Sequence, residues 1–335
     1  MGIYSQNPWK PAPFVILKDK AIEERVSEAG FYVKELITKE VLSALKDFYN
    51  QNHHFEASEG GMFYSIYSQD LTYRRNIHNF IAEQLRPFVD EICHKYKMVL
   101  NSFVIKVSGP QSEFYLHQDT TGLDEWLHSP LSLWIPLQDV DEQNGCLGVI
   151  PFSQHFFTPY RSISFPAPFD TIQEEVKKYL VPVRMKAGEV LIFDNRILHH
   201  SYANLSGTDR ISVICGLFPE EATFLTCHKT DYTCGGEVEL IQHSDDFLLT
   251  GKNFLMDCQK RPETGKSLGW VEDPYPAISM AEFEALCQRF ELEKTSDTES
   301  YATNCIMIAE PKQTAVVKEK NEGILKKIKQ LLAIQ

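Results

Sequence analysis

The sequence has no cysteine pair at CxxC spacing, no HExxH, no internal repeat and no run approaching the roughly 18 to 20 apolar residues of a membrane-spanning helix. Each absence removes a class of protein. The eight cysteines, Cys93, Cys146, Cys215, Cys227, Cys234, Cys258, Cys287 and Cys305, are scattered, several of them in apolar runs, which fits reduced thiols better than a disulfide framework. Cys227, His228 and Cys234 would need a fourth ligand to hold zinc, and none is obvious nearby. Positive charge is also short: 33 Lys and Arg stand against 46 Asp and Glu, a formal net charge of -13, which disfavours nucleic acid or an anionic membrane surface as a partner. The opening residues MGIYSQNPWK lack the basic-then-apolar layout of a secretion signal, and Gln6 stands where a myristoylation motif has Ser or Thr. A cytoplasmic protein is the resulting expectation.

What is present is a chain of 335 residues, 43% hydrophobic, long enough to bury a sizeable core. Helical spacing comes first. Residues 21–29 form a weak helix pattern, and 38–49 a stronger one that starts at Thr38; residues 74–96 predict a long amphipathic helix with Pro87 as a kink position. The polar, glycine-bearing stretch 50–70 reads as a loop, and His53, His54, His78 and His94 read as exposed or capping histidines rather than ligands. From Val99 the period shortens. The runs LNSFVIKV, EFYLHQD, LSLWIPLQ, GCLGVIP, YLVPVRM, GEVLIFD, ILHHSYA and RISVICGLF predict eight short strands with one longer excursion at 152–178, the pattern of a barrel or two-sheet jelly roll. After Glu220 the signal weakens to a strand or two and a helix across 237–249 and 276–291. A linker at 295–314 precedes a helix whose Ile324, Leu325, Ile328, Leu331 and Leu332 share one face, suited to docking on its own chain or a partner chain. The expected organisation is a helical brace (1–98), a catalytic core (99–220), an extension packed on the core (221–294), and a linker with an amphipathic helix (295–335).

The candidate chemistry centres on LHHSYANLSGTDR, where His199 precedes a polar turn and Arg210 comes after it. If the flanking strands pair as a hairpin about Asn204 and Leu205, His199 and Arg210 face each other about 5 Å apart at Cβ, with Ser201 on the same face. A neutral imidazole beside an always-charged guanidinium suggests that something anionic or metallic lies between them, and a metal with a carboxylate ligand would satisfy both. Upstream, His117 and Asp119 lie two apart on a predicted strand, so both leave one face and can chelate one ion. Two histidines and a carboxylate on one face of an octahedral metal are the arrangement of non-haem Fe(II) oxygenases. Taken alone an HxD triplet is weak, and usually marks a solvated turn.

The triplet gains weight from four motifs downstream: LSLWIPLQD (131–139), NGCLGVIPFSQH (144–155), AGEVLIFD (187–194) and then HxSxxNxSxxxR (199–210). With these motifs the sequence resembles the phytanoyl-CoA dioxygenase family of iron- and 2-oxoglutarate-dependent oxygenases over residues 30–218. The resemblance implies a mainly β fold with flanking α, a double-stranded β-helix (jelly-roll, cupin-like) core braced by N-terminal helices. It implies Fe(II) ligands at His117, Asp119 and His199, 2-oxoglutarate binding at Arg210 and Ser201, and a co-substrate pocket lined by Gln118, Trp134 and Lys106. The implied reaction uses O2 to hydroxylate an unactivated C–H bond of a small molecule, with decarboxylation of 2-oxoglutarate to succinate and CO2. Related halogenases carry a small residue at the Asp119 position, so the carboxylate favours hydroxylation. The sequence departs from the pattern at His200 and at Phe152, both often glycine in the family. His200 points to the opposite face from His199; His155 reads as a structural loop histidine, and His128, in the loop after the metal pair, is a candidate for substrate contact. A jelly roll that binds ligand or metal without turnover, a desaturase-type oxidation at the same site and, less favoured for want of HExxH, a zinc hydrolase are the rival readings. No CoA-specific basic cluster is visible.

Overall fold

The computed structural model describes residues 12–53, 61–156, 160–251 and 260–295. Thirteen strands occur among them: β1 (Phe31–Glu35), β2 (Met62–Tyr64), β3 (Tyr96–Lys106), β4 (Phe114–His117), β5 (Leu131–Pro136), β6 (Leu147–Ile150), β7 (Val181–Val183), β8 (Glu189–Asp194), β9 (Leu198–Ser201), β10 (Arg210–Pro219), β11 (Phe224–His228), β12 (Gly236–His243) and β13 (Lys266–Asp273). The eight expected runs are β3 to β10. They form two antiparallel sheets, one in the order β1-β8-β5-β10-β3-β2 and one in the order β4-β9-β6-β7. From β3 to β10 the chain passes back and forth between the sheets, except at β6 and β7, which follow one another and pair within the smaller sheet; this is the winding of a double-stranded β-helix.

The alternating pleat explains the packing. On the outer face of the larger sheet, Phe103 and Ile105 of β3, Leu133 and Ile135 of β5, Ile192 of β8 and Val213 of β10 form a single core with the N-terminal helices. Those helices are α1 (Lys20–Ala29), α2 (Lys39–Asn52) and α3 (Leu71–Ile92), capped by Asp19, Thr38 and Asp70 through side-chain bonds to backbone N–H groups. α3 runs through Pro87. On the inner face Trp134, Leu191 and Phe193 meet Leu147 and Val149 of the smaller sheet, filling the barrel. Outside the smaller sheet, Ile150, Phe152 and Leu198 pack with Phe283 and Leu286 of the helix Met280–Arg289.

Several expectations are corrected. The stretch 50–70 is not all loop, because β2 adds to the edge of the larger sheet beside β3; β1 likewise joins β8, so the region before residue 98 supplies strands as well as helices. The long helix stops at Ile92 with Cys93 as its cap, and Tyr96 already belongs to β3, where buried and partly exposed residues replace the helical period. His78, expected at the surface or as a cap, is buried on α3 beside Asn101. Beyond residue 220 there are three strands, β11-β12-β13, rather than one or two. The amphipathic helix expected near the end, and nearly all of its linker, lie outside the described residues.

The largest correction concerns the hairpin. β9 and β10 do not pair: β9 has both edges taken by β4 and β6, and β10 by β3 and β5. The turn between them crosses from one sheet to the other, and Asn204, fully buried, fastens it. Its amide Nδ2 donates to the carbonyls of Lys106 and Thr208 at 2.9 and 2.7 Å, and its backbone N–H donates to Ser112 Oγ at 2.8 Å. His199 therefore faces His117, its partner in the β4–β9 register, while Arg210 faces Lys106.

Phe152 stands where the resemblance has glycine, in the left-handed region at φ 66°, with its ring buried and stacked on Phe290 at a centroid distance of 5.9 Å. The conformation costs about 1–2 kcal/mol, whereas the buried ring contributes about 3–5 kcal/mol, so packing wins. Phe152→Gly is expected to destabilise by about 2 kcal/mol. Phe152→Ala, which loses the ring and keeps the strain, should be worse by about 1 kcal/mol. Denaturant midpoints check the order, and an alanine variant as stable as the glycine one refutes the strain.

Candidate metal centre

Two strand ends and one turn build the site. β4 ends at His117, β9 carries His199 opposite it, and Asp119 comes after β4 in a turn where its backbone N–H donates to Asn195 O at 2.9 Å. The ligand-type atoms of His117, Asp119 and His199 all lie within 4.8 Å of one another. Asp119 Oδ1 is 3.8 Å from His117 Nε2 and 3.7 Å from His199 Nε2. Among the described residues this is the one group of three or more His, Cys, Asp or Glu side chains so arranged. The turn that meets Asp119 is itself stapled by a fully buried pair, Arg196 to Asp194 at 2.6 Å.

The donor set fits a metal for a reason visible in the hydrogen bonds. His117 Nδ1 lies 2.9 Å from Tyr115 O, and His199 Nδ1 lies 3.0 Å from Ile197 O. A carbonyl only accepts, so both rings carry their proton on Nδ1 and turn the Nε2 lone pair toward Asp119. Burial, and then repulsion from His199, hold the His117 imidazole well below the usual histidine range, which keeps it neutral and able to ligate. Burial raises the Asp119 carboxyl, with His199 and then Arg161 opposing that shift.

Arg210 fits an anion. Its side chain is 1% exposed, Nη1 donates to Ser212 Oγ at 2.5 Å, and Nε is buried without a hydrogen-bond partner among the described residues. Its guanidinium carbon sits 5.2 Å from the centroid of the Trp134 ring. A buried, incompletely satisfied guanidinium is costly unless something negative completes it. Lys106, its cross-strand neighbour, spans the barrel to donate to Tyr202 O at 2.6 Å and Ser201 O at 3.1 Å. Burial and then the Arg210 charge push the Lys106 amine down to about 6. Ser201 Oγ donates to Gly145 O at 3.3 Å. Gln118 already uses its amide on Arg196 O at 2.5 Å, leaving a buried acceptor oxygen.

The structure thus brings together the three expected ligand residues, and Arg210 with Trp134 and Lys106. His200 points away from His199, to Glu113 Oε1 at 3.0 Å. His155 stacks on Phe290 at 5.6 Å as a packing residue. Cys227, in β11, is buried. Sequence reasoning missed Tyr64. Its place on β2 puts it opposite Val104 and so on the inner face with Lys106, and Asp119 and Arg210 both act electrostatically on its phenol. It begins an aromatic wall: Tyr64 lies 6.2 Å from Phe114, Phe114 4.7 Å from Tyr115, and Tyr115 5.2 Å from His117. The signal was the alternation in MFYSIY, read as loop because three residues are too short to show a period.

The chain is 29% identical over 121 residues to phytanoyl-CoA dioxygenase 1 of Oryza sativa subsp. japonica, covering 34% of this chain and 41% of that protein. It is 26% identical over 168 residues to phytanoyl-CoA dioxygenase domain-containing protein 1 of Danio rerio, covering 46% and 55% respectively. The chain thus spans about half the length of these relatives. Among solved structures, the non-haem α-ketoglutarate-dependent carbocyclase SnoK from nogalamycin biosynthesis aligns with a TM-score of 0.42 at 17% identity, over 64% of this chain and 88% of that one. The family profile for phytanoyl-CoA dioxygenase (PhyH), a family of Fe(II)- and 2-oxoglutarate-dependent oxygenases, matches residues 32–212, more than half of the 335 and both arms of the site. The chain belongs to the phytanoyl-CoA dioxygenase family.

Proposed function

We propose that this protein is an Fe(II)- and 2-oxoglutarate-dependent dioxygenase that hydroxylates a C–H bond of a small molecule, with His117, Asp119 and His199 as the iron ligands. The observation that carries the reading is the pair of imidazoles held by Tyr115 O and Ile197 O, with both Nε2 atoms presented to one carboxylate oxygen. Iron bound there, with O2 and 2-oxoglutarate, supplies oxidative decarboxylation to succinate and CO2 coupled to oxygenation of the substrate. The protein's part is orientation. Arg210 grips the far carboxylate of 2-oxoglutarate with its unpaired Nε–H and the remaining Nη hydrogens, and the Trp134 face beneath keeps water from that ion pair. Lys106, pushed toward its neutral amine, ties β9 to the larger sheet through Ser201 O and Tyr202 O, and so fixes the strand that bears His199. Ser201 and Gln118 complete the proposed co-substrate pocket. The aromatic wall from Tyr64 to Tyr115 faces the substrate and excludes water from the metal.

Fe(II)-loaded protein incubated with 2-oxoglutarate and O2 is expected to form succinate, increased by the right member of a metabolite panel, with a 16 Da gain in that member corresponding to one oxygen atom. A loss of 2 Da would mark desaturation instead. Absence of any 2-oxoglutarate turnover across metals and metabolites would sink the enzymatic reading in favour of a binding protein.

A further inference from the structure

The loop after Asp119 and the loop after β6 are joined by a buried ion pair that lies outside the metal-binding and anion-binding groups. Arg161 Nη1 and Nη2 donate to the two carboxylate oxygens of Glu125 at 2.8 and 2.6 Å, and the side chains are 6% and 0% exposed. The guanidinium also reaches elsewhere: Nε–H donates to the backbone carbonyl of Asp119 at 2.8 Å. The backbones are laced as well, Thr121 N–H to Arg161 O at 2.9 Å and Arg161 N–H to Thr121 Oγ1 at 2.8 Å.

A buried ion pair is not by itself a gain, since apolar side chains of the same volume commonly stabilise a protein as well or better. Its presence is explained by what the fork can do and apolar groups cannot. Asp119 is not within β4, so no strand ladder holds it. Its N–H is fixed by Asn195 O and its C=O by Arg161, and without the second bond the carboxylate pivots on one anchor. Glu125 is the complement that brings a guanidinium into this dry place and fixes its plane.

We infer that Arg161 and Glu125 form a positioning pair that sets the carboxylate of Asp119 against the two imidazoles, and that metal affinity depends on it. The inference rests on the assignment of His117, Asp119 and His199 as metal ligands. The same tie carries the neighbours of both residues, since Trp126 Nε1–H donates to Tyr160 OH at 3.3 Å at the surface, with Trp126 49% exposed. The metal carboxylate and this aromatic pair are therefore mounted on one support.

The test is an anaerobic Co(II) titration of the full chain, read by visible d–d absorption. Removing one partner strands a buried charge and endangers the fold, so the informative variant is the double one, Arg161→Met with Glu125→Leu, which empties the pair and refills its volume. Its melting temperature is expected to stay within a few degrees of wild type while the Co(II) dissociation constant rises about 10- to 100-fold, the usual cost of losing an outer-shell partner. Arg161→Lys, which keeps the charge but cannot span Glu125 and the Asp119 carbonyl together, is expected to fall between. A folded double variant that binds Co(II) within twofold of wild type would overturn the inference and leave the metal centre standing. Failure of the wild type to bind Co(II) would overturn both.

Discussion

Arg210→Ala raises the 2-oxoglutarate concentration needed for half-maximal succinate formation by at least tenfold, and by about 100-fold if both charge-assisted bonds to the carboxylate are lost. Each such bond contributes about 1.5–3 kcal/mol, and about 1.4 kcal/mol already corresponds to a factor of ten. The environment favours the upper end. At 1% exposure, screening is weak, and the buried Nε has no competing partner among the described residues. One response softens the loss. Lys106 is held down to about 6 first by burial and then by Arg210, so removing Arg210 lifts only the second cause and moves the lysine toward its charged form, a second-best cation at the facing position on β3. The double variant Arg210→Ala, Lys106→Met should therefore lose more than the sum of the single losses, a coupling that a mutant cycle on 2-oxoglutarate binding measures. An unchanged 2-oxoglutarate requirement in Arg210→Ala would place the carboxylate clamp elsewhere.

The second large effect is expected at the metal. His117→Ala removes one of the two Nε2 donors, and since loss of even an outer-shell partner costs about 10- to 100-fold in affinity, loss of a ligand should cost at least about 100-fold. Substrate-dependent succinate formation should fall to background. The fold should survive, because His117 is at the end of β4, partly exposed, and contributes to the β4–β9 ladder through its backbone rather than its ring. Thermal melts of the metal-free proteins separate the two effects. Wild-type-like turnover in His117→Ala would remove this residue from the ligand set.

Much of this was legible in the sequence, and the reasons differ by element. The β5 run LSLWIP is buried along its whole length because Leu131, Leu133 and Ile135 face the helices while Ser132 and Trp134 face the barrel, so no charged residue interrupts the pattern. Thr38 announced α2 because its side-chain oxygen takes the N–H of Val41, a local bond that needs no tertiary partner. β1, β2 and β13 were illegible for the opposite reason. The first two are short and owe their existence to an available edge on the larger sheet, and β13 exposes most of its residues, Leu268 and Trp270 among them. The pair Arg161 and Glu125 left no mark at all, since a cation and an acid thirty-six positions apart resemble any two surface charges until the chain folds.

The sequence by itself determined the residue types of the site, the eight core strands and the helices in front of them, because side-chain spacing along a strand or helix is a local property that sequence records directly. Only the tertiary structure decided who faces whom. His199 was expected across a hairpin from Arg210 and stands instead opposite His117 of β4, since strand partners are chosen by which edges remain open once the sheets have formed, and Asn204 carries the chain between them. The same holds for Tyr64, Lys106 and Arg161, whose roles come from distant backbone that only closure of the barrel brings within reach.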